Sequence, residues 1–287
     1  MSLTLKGKDN YLFLINDSVR SLDKHTSNES ALLLENVMWR QDVNNLYMLV
    51  YPDKEVICEK FLPDGNEIKY RTSLDIYKTV FEDRLLDPTD ILDTTDYYKT
   101  DSHMNNKGNY KVYNRFIEFL KHKFPEDRIE AVNIELTKVE VPSLVSLELG
   151  LGDLTWEHNK KDVVLDDISD IYYEMPKEYN FSSTVYNCNE EDFRILNREL
   201  TDMSIESKNK LITWDVVSNS IFYHKSSSPC INKKVVFIYD SFMLPSIGLY
   251  RNLFRETYFV KDVFDQKYIN KIKPDLIFEF RIERFLF

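Results

Sequence analysis

An α/β domain with a central parallel sheet, covered by helices on both faces, is the fold that this sequence predicts. Three observations predict it. Continuous apolar runs at Leu46–Tyr51, Val235–Tyr239 and Asp275–Phe280 have the length and composition of buried strands. Segments with apolar residues at helical spacing lie between them. The β-α-β-α-β alternation of the last 60 or so residues is the pattern of a sheet with crossover helices.

In chain order, Tyr11–Ile15 is a short apolar strand entered from the turn-forming Gly7-Lys8-Asp9-Asn10, and Glu29–Val43 reads as helix. Leu46–Tyr51 is a strong strand that stops at Pro52, which cannot donate to a ladder. Thr72 or Ser73 caps a helix whose Leu74, Tyr77, Phe81 and Leu85 share one face, ended by Asp87-Pro88. Asn105 or Asn106 caps the next, with Tyr110, Tyr113, Ile117 and Leu120 at helical spacing up to Pro125. Residues 142–229 have few periodic segments and are read as an insertion in one domain spanning 1–287. After it come strand Val235–Tyr239, helix Pro245–Phe254, strand Thr257–Val260 and strand Asp275–Phe280.

Composition narrows the function. A net charge of -11 over 287 residues argues against a nucleic-acid partner, because phosphate-tracking surfaces concentrate Lys and Arg. Eighteen Tyr and eighteen Phe suffice to line a carbohydrate cleft, although most are expected in ordinary core and surface positions. Cys58, Cys188 and Cys230 have neither disulfide-framework nor zinc-ligand spacing and are expected as free thiols; no metal or cofactor is expected. Asp162, Asp166, Asp167 and Asp170 form an acidic cluster without EF-hand spacing, expected as a solvated face. No apolar run reaches the roughly 20 residues of a membrane span, and residues 1–10 lack a signal-peptide core, so the chain as given is expected to be soluble. Met1-Ser2-Leu3 has the look of an appended start. If it replaces a natural export signal or anchor, the protein belongs outside the cytoplasm or at the cell envelope; otherwise it is cytoplasmic.

The sharpest local feature is Val235-Val236-Phe237-Ile238-Tyr239-Asp240-Ser241-Phe242, a buried strand that delivers a serine to the start of the next helix. Beyond the carboxyl ends of parallel strands is where ligands gather, and outward-pointing amides there stabilise an oxyanion. By itself the feature is equally a helix cap formed by Asp240 or Ser241. A serine nucleophile also needs an imidazole base and a carboxylate that fixes its tautomer. Asp101-Ser102-His103 supplies both from one loop, within Lys99-Thr100-Asp101-Ser102-His103-Met104-Asn105-Asn106-Lys107-Gly108. Alone, Asp-x-His is equally a surface pair or a metal ligand set. His25, His122, His158 and His224 have no comparable setting and are expected to be solvated or structural.

Together these segments resemble the alginate O-acetyltransferase-like branch of the SGNH hydrolase superfamily. Gly7-Lys8-Asp9-Asn10-Tyr11-Leu12-Phe13-Leu14 is similar to that family's opening Gly-Lys-Asp-Gly-Trp-Leu-Phe. Val50-Tyr51-Pro52-Asp53-Lys54-Glu55 through Glu59-Lys60-Phe61-Leu62-Pro63 is similar to its Val-Pro-Asp-Lys…Glu…Leu-Pro element. Thr100–Gly108 resembles the Asp-x-His-Trp-Asn-x-x-Gly signature, and Tyr239–Phe242 the Gly-Asp-Ser-Phe block. Gly152-Asp153-Leu154 and Glu283-Arg284-Phe285-Leu286 are weaker matches in the expected order. Met104 stands where the signature has Trp, and Tyr239 where the block has Gly.

The resemblance implies a three-layer SGNH hydrolase-like domain with the triad Ser241, His103 and Asp101, in the branch's permuted order. It implies an acetyl donor, a polysaccharide acceptor at the cell surface, and a membrane-bound partner protein that supplies acetyl groups. Around the nucleophile, Asn105, Asp240 and Tyr239 are candidate oxyanion or substrate contacts. A carbohydrate acetylesterase using the same residues, and a catalytically silent glycan-binding or assembly protein, are the alternatives that sequence leaves open.

Overall fold

The computed structural model describes residues 4–15, 17, 20–27, 34–141, 152–155, 170–179, 186–187 and 220–286. Its centre is a sheet of β4 (Leu85–Leu86), β3 (Leu46–Tyr51), β11 (Leu276–Ile282), β9 (Ile231–Tyr239), β10 (Phe254–Lys261), β8 (Ser220–Lys225) and β7 (Tyr186–Asn187), in that spatial order. The first five are mutually parallel. Strand β8 runs antiparallel against β10, and β7 antiparallel against β8. Two small antiparallel pairs lie apart: β1 (Thr4–Lys6) with β2 (Leu12–Leu14), and β5 (Thr137–Val141) with β6 (Asp170–Glu174).

The period-two alternation of side chains sorts the strands onto two cores. Val235, Phe237 and Tyr239 of β9, Phe278 and Phe280 of β11, and Leu49 and Tyr51 of β3 face one cluster. There they meet Val112, Tyr113, Phe116, Ile117 and Leu120 of α5 (Asn106–Lys123) and Ile247, Leu249 and Tyr250 of the single-turn α6 (Ile247–Tyr250). Val236, Ile238, Ile277, Leu46, Met48 and Val50 face the other cluster. That face is covered by Val37 of α2 (Leu34–Gln41), Leu74, Tyr77 and Phe81 of α4 (Thr72–Phe81), and Tyr268 and Ile272 of α7 (Gln266–Ile272). Helix layers on both faces of a mainly parallel sheet are the three-layer architecture expected from the sequence. Two further short helices, α1 (Ser21–Ser27) and α3 (Lys54–Ile57), precede and follow β3.

Two local readings are corrected. The helix expected over Pro245–Phe254 is a turn at Ser241–Met243, a 3₁₀ turn at Leu244–Ser246 and then α6, because Phe254 already pairs with Ile231 in the sheet. Leu85 is in β4 rather than on α4, since Glu82 takes a positive φ of 49° and ends the helix. Within the stretch 142–229, β8 and β7 extend the edge of the sheet. Most of the rest of that stretch lies outside the described residues, as do His158, Cys188, Asp162, Asp166 and Asp167. Cys58 and Cys230 are free thiols. Among the described residues, no helix is long and apolar enough to cross a membrane.

Candidate active site

Ser241 lies two residues beyond Tyr239, the end of β9, so the sheet delivers it to the carboxyl edge of the parallel strands. Asp240 makes the turn. One carboxylate oxygen accepts from the Phe242 amide at 2.9 Å and the other from the Ile282 amide, at the end of β11, at 2.7 Å. The serine is thereby fixed to two adjacent strands. Asp240 is 7% exposed and both its oxygens hold backbone amides, so it shapes the loop that presents Ser241. Tyr239 is buried in the α5-facing core.

The base comes from the loop between residues 97 and 105. His103 Nε2 lies 2.8 Å from Ser241 Oγ, and His103 Nδ1 lies 2.7 Å from Asp101 Oδ1. The same oxygen accepts from the His103 amide at 2.8 Å, and Asp101 Oδ2 accepts from the Asp153 amide at 3.1 Å. Burial alone raises a carboxyl pKa, but the hydrogen bonds and charge of His103 outweigh it and hold Asp101 at about 2. For His103, desolvation pulls the imidazole pKa down. The hydrogen bond and charge of Asp101, with Asp153 adding to them, outweigh that and leave it above its ordinary value.

The loop is held from several sides. Lys54 is buried at the start of α3 and spends its three ammonium hydrogens on the carbonyls of Leu12 (2.7 Å), Lys99 (2.8 Å) and Asp101 (2.9 Å). Asp170, at the start of β6, accepts from the amides of Lys99 and Thr100, both at 3.0 Å, and from the Thr100 hydroxyl at 2.7 Å. This corrects its expected place on a solvated face: it is 2% exposed. Asp153 accepts from the Ser102 amide at 2.7 Å and the Ser102 hydroxyl at 2.5 Å. Behind the imidazole, the Phe242 ring packs at 4.6 Å between centroids.

Asn105 belongs to the scaffold. Its side-chain oxygen caps α5 by accepting from the Gly108 amide at 3.1 Å, and its amide nitrogen donates to the Thr95 carbonyl at 2.8 Å. It is 1% exposed, and both its side-chain oxygen and one of its amide hydrogens are used in holding the loop and helix. Met104, in place of the signature Trp, is buried in the core. His25 is structural, with its ring nitrogens 3.0 Å from Asp53 and 3.0 Å from the Tyr70 carbonyl.

Sequence reasoning missed the parts played by Lys54, Asp153, Asp170 and Phe242. The first two stand in stretches already similar to family motifs, but motif letters do not say that an ammonium grips three carbonyls. A second consequence of the loop's packing is testable. A Cβ on Gly152 would meet the Thr100 carbonyl oxygen at 2.3 Å. Gly152→Ala should therefore displace the loop carrying Asp101 and His103 and lower turnover about tenfold or more, while far-UV circular dichroism stays unchanged.

Asp101, His103 and Asp153 each place a ligand atom within 4.8 Å of the others. Within it His103 Nδ1 lies 2.7 Å from Asp101 Oδ1 and 3.5 Å from Asp153 Oδ2.

No protein-family model matches the chain, and no curated protein matches it in sequence. Solved structures do. Bacillus cereus PatB1 superposes with a TM-score of 0.61 at 12% identity over 100% of this chain and 97% of its own. A DHHW family protein from Eubacterium siraeum gives 0.52 at 12%, over 98% and 94%. The O-acetyltransferase domain of Pseudomonas putida AlgJ gives 0.54 at 10%, over 99% and 91%. With a mainly parallel sheet between two helical layers, the chain therefore has the SGNH-type α/β fold of these proteins.

Proposed function

We propose that this protein is a serine-dependent acyltransferase that moves an acetyl group onto hydroxyls of a polysaccharide. One observation carries the reading: an unbroken line of hydrogen bonds from Ser241 Oγ through His103 to Asp101, assembled from segments 138 residues apart. The fold shared with the AlgJ O-acetyltransferase domain supports acetyl as the group and a sugar hydroxyl as the acceptor.

In this mechanism His103 Nε2 takes the Ser241 proton as Oγ attacks the acetyl carbonyl. Asp101 keeps the remaining ring proton on Nδ1 and stabilises the imidazolium. The tetrahedral intermediate collapses when the donor's leaving oxygen takes the proton from His103, which leaves acetyl-Ser241. A sugar hydroxyl then gives its proton to His103, attacks the acetyl carbon and leaves as the ester, while the serine oxygen regains its proton. For the oxyanion, the Phe242 amide is committed to Asp240, so the Ser241 amide is the donor assigned here. The acetyl donor is supplied by a membrane-bound partner protein, and the site works at the cell envelope.

The test is release of acetate from an activated acetyl ester, with and without glycan fragments, followed by their mass. A gain of 42 Da per acetyl on the glycan is the result expected of a transferase (about 42 Da is the mass of an acetyl group replacing a hydrogen). Acetate release indifferent to every glycan makes the protein an esterase, and no release by any donor leaves the silent glycan-binding alternative. The pH dependence has a definite sign. The base must be neutral, and the folded protein holds His103 above its ordinary value, so kcat/KM should rise with pH along a limb centred above about 6.5.

A further inference from the structure

We infer that Asp153 is a positioning residue of the catalytic cluster: it holds the Asp101-Ser102-His103 segment from outside and gives the His103 imidazole a second carboxylate. The inference rests on the proposed role of His103 as base, and it adds a residue from outside the triad. Four contacts carry it. The Asp153 amide donates to Asp101 Oδ2, the triad oxygen turned away from His103, at 3.1 Å. Its carboxylate accepts from the Ser102 amide at 2.7 Å and the Ser102 hydroxyl at 2.5 Å, so the residue between Asp101 and His103 is gripped at backbone and side chain together. Its Oδ2 then lies 3.5 Å from His103 Nδ1, beside the 2.7 Å bond from that nitrogen to Asp101.

These contacts act on one coordinate, the orientation of the ring. Asp101 alone can swing with its loop, and a swing of a fraction of an ångström changes the Oγ–Nε2 distance on which proton transfer depends. Asp153 closes the loop into a ring of hydrogen bonds in which Asp101, Ser102 and His103 each have a fixed partner. The position of Asp153 is itself enforced, because Gly152 packs without a Cβ against the Thr100 carbonyl and the Leu154 amide donates to that same oxygen at 3.3 Å.

The electrostatics follow. The charged groups facing the imidazole are Asp101 and Asp153, which favour its protonated form, and Arg284, which opposes it. Burial and the negative charge of Asp101 push the Asp153 carboxyl up. Two carboxylates beside one imidazole favour the imidazolium that forms during both acyl-transfer steps more than one does. With 40% of its side chain exposed, Asp153 is screened and contributes less than Asp101. It is also replaceable without opening the core.

The experiment compares wild type with Asp153→Asn and Asp153→Ser, both of which keep an acceptor for Ser102 and remove the charge. The His103 ring is titrated by NMR, its signals assigned by their loss in His103→Gln, and kcat/KM is followed against pH with an activated acetyl ester. In both variants the His103 pKa should fall, the acid limb of kcat/KM should move to lower pH with it, and activity at the plateau should drop roughly tenfold, the low end for a hydrogen bond to a charged group. A residue that only supports the fold would lower activity without moving the imidazole titration. If the titration and the limb are unchanged in both variants, the assignment is overturned while acyl transfer stands. If the titration moves but neither wild type nor variant turns over any ester, the positioning role stands and the enzymatic reading falls.

Discussion

Replacing the Ser241 hydroxyl, in Ser241→Ala, is expected to lower acetyl-ester turnover by about 10⁴-fold or more while leaving the protein folded, because covalent catalysis loses its only nucleophile. The structural cost is small. Ser241 Oγ is partnered by His103 at 2.8 Å at a partly exposed loop, and losing one such bond costs about 1 kcal/mol. His103→Ala should be nearly as damaging, and Ser241→Ala with His103→Ala little worse than either alone, because the two side chains act as one unit. Mass spectrometry adds a readout independent of substrate choice. A sulfonyl fluoride should label wild type at Ser241, and label His103→Ala far more slowly. Equal turnover by wild type and Ser241→Ala over a panel of acetyl donors would remove Ser241 from the chemistry.

Much of the frame was legible because strong signals are local. Leu46–Tyr51 is a strand with the boundaries expected, since an apolar run bounded by Pro52 leaves little choice. Of the two candidate caps before that helical repeat, Asn105 is the one that caps. Ser241, His103 and Asp101 meet because two short motifs sit at the ends of elements whose sheet positions the alternation pattern fixes. What was not legible depends on distant partners. That Asn105 would tie the Thr95 carbonyl to the Gly108 amide could not be read from its neighbours in sequence. Asp170 looked like one of four surface acids, and only the arrival of Thr100, 70 residues earlier, makes it a buried anchor. The helix expected over Pro245–Phe254 fails for a similar reason: pairing of Phe254 with Ile231 claims its end for the sheet. Local periodicity reports which face is apolar, whereas a buried polar residue is explained only by the group that reaches it.

Arg284→Met should destabilise the protein by about 3 to 5 kcal/mol, the largest stability effect expected of a single change near the site. Arg284 Nη1 donates to Asp53 Oδ1 at 2.8 Å, with 6% and 0% of the two side chains exposed, and Asp53 Oδ2 lies 3.0 Å from His25 Nε2. Removing the guanidinium leaves the Asp53 charge buried with one partner, and adjacent Glu55, also buried, loses a nearby cation. Asp53→Asn should also be destabilising, because it leaves the buried Arg284 guanidinium without its carboxylate, although the amide oxygen can still accept from it. The guanidinium also lies 5.2 Å over the Phe242 ring, which packs against His103 as well, so residual folded Arg284→Met should show lower kcat with little change in KM. The pH dependence of stability follows with its sign. Burial opposes protonation of His25, but Asp53 and Glu283 raise its pKa to about 9 from an unfolded value near 6.5. Its contribution is complete below about 6.5 and is lost as pH rises through 9. Glu55, pushed up to about 7 by burial and the charge of Asp53, loses stability in the same direction between about 4.5 and 7. Thermal denaturation should therefore give a higher Tm near pH 5.5 than at pH 9.5, and His25→Gln should flatten the alkaline part of that slope. A Tm that stays constant across this range in wild type, or an Arg284→Met variant as stable as wild type, would show that the buried ion network does not hold the back of the site.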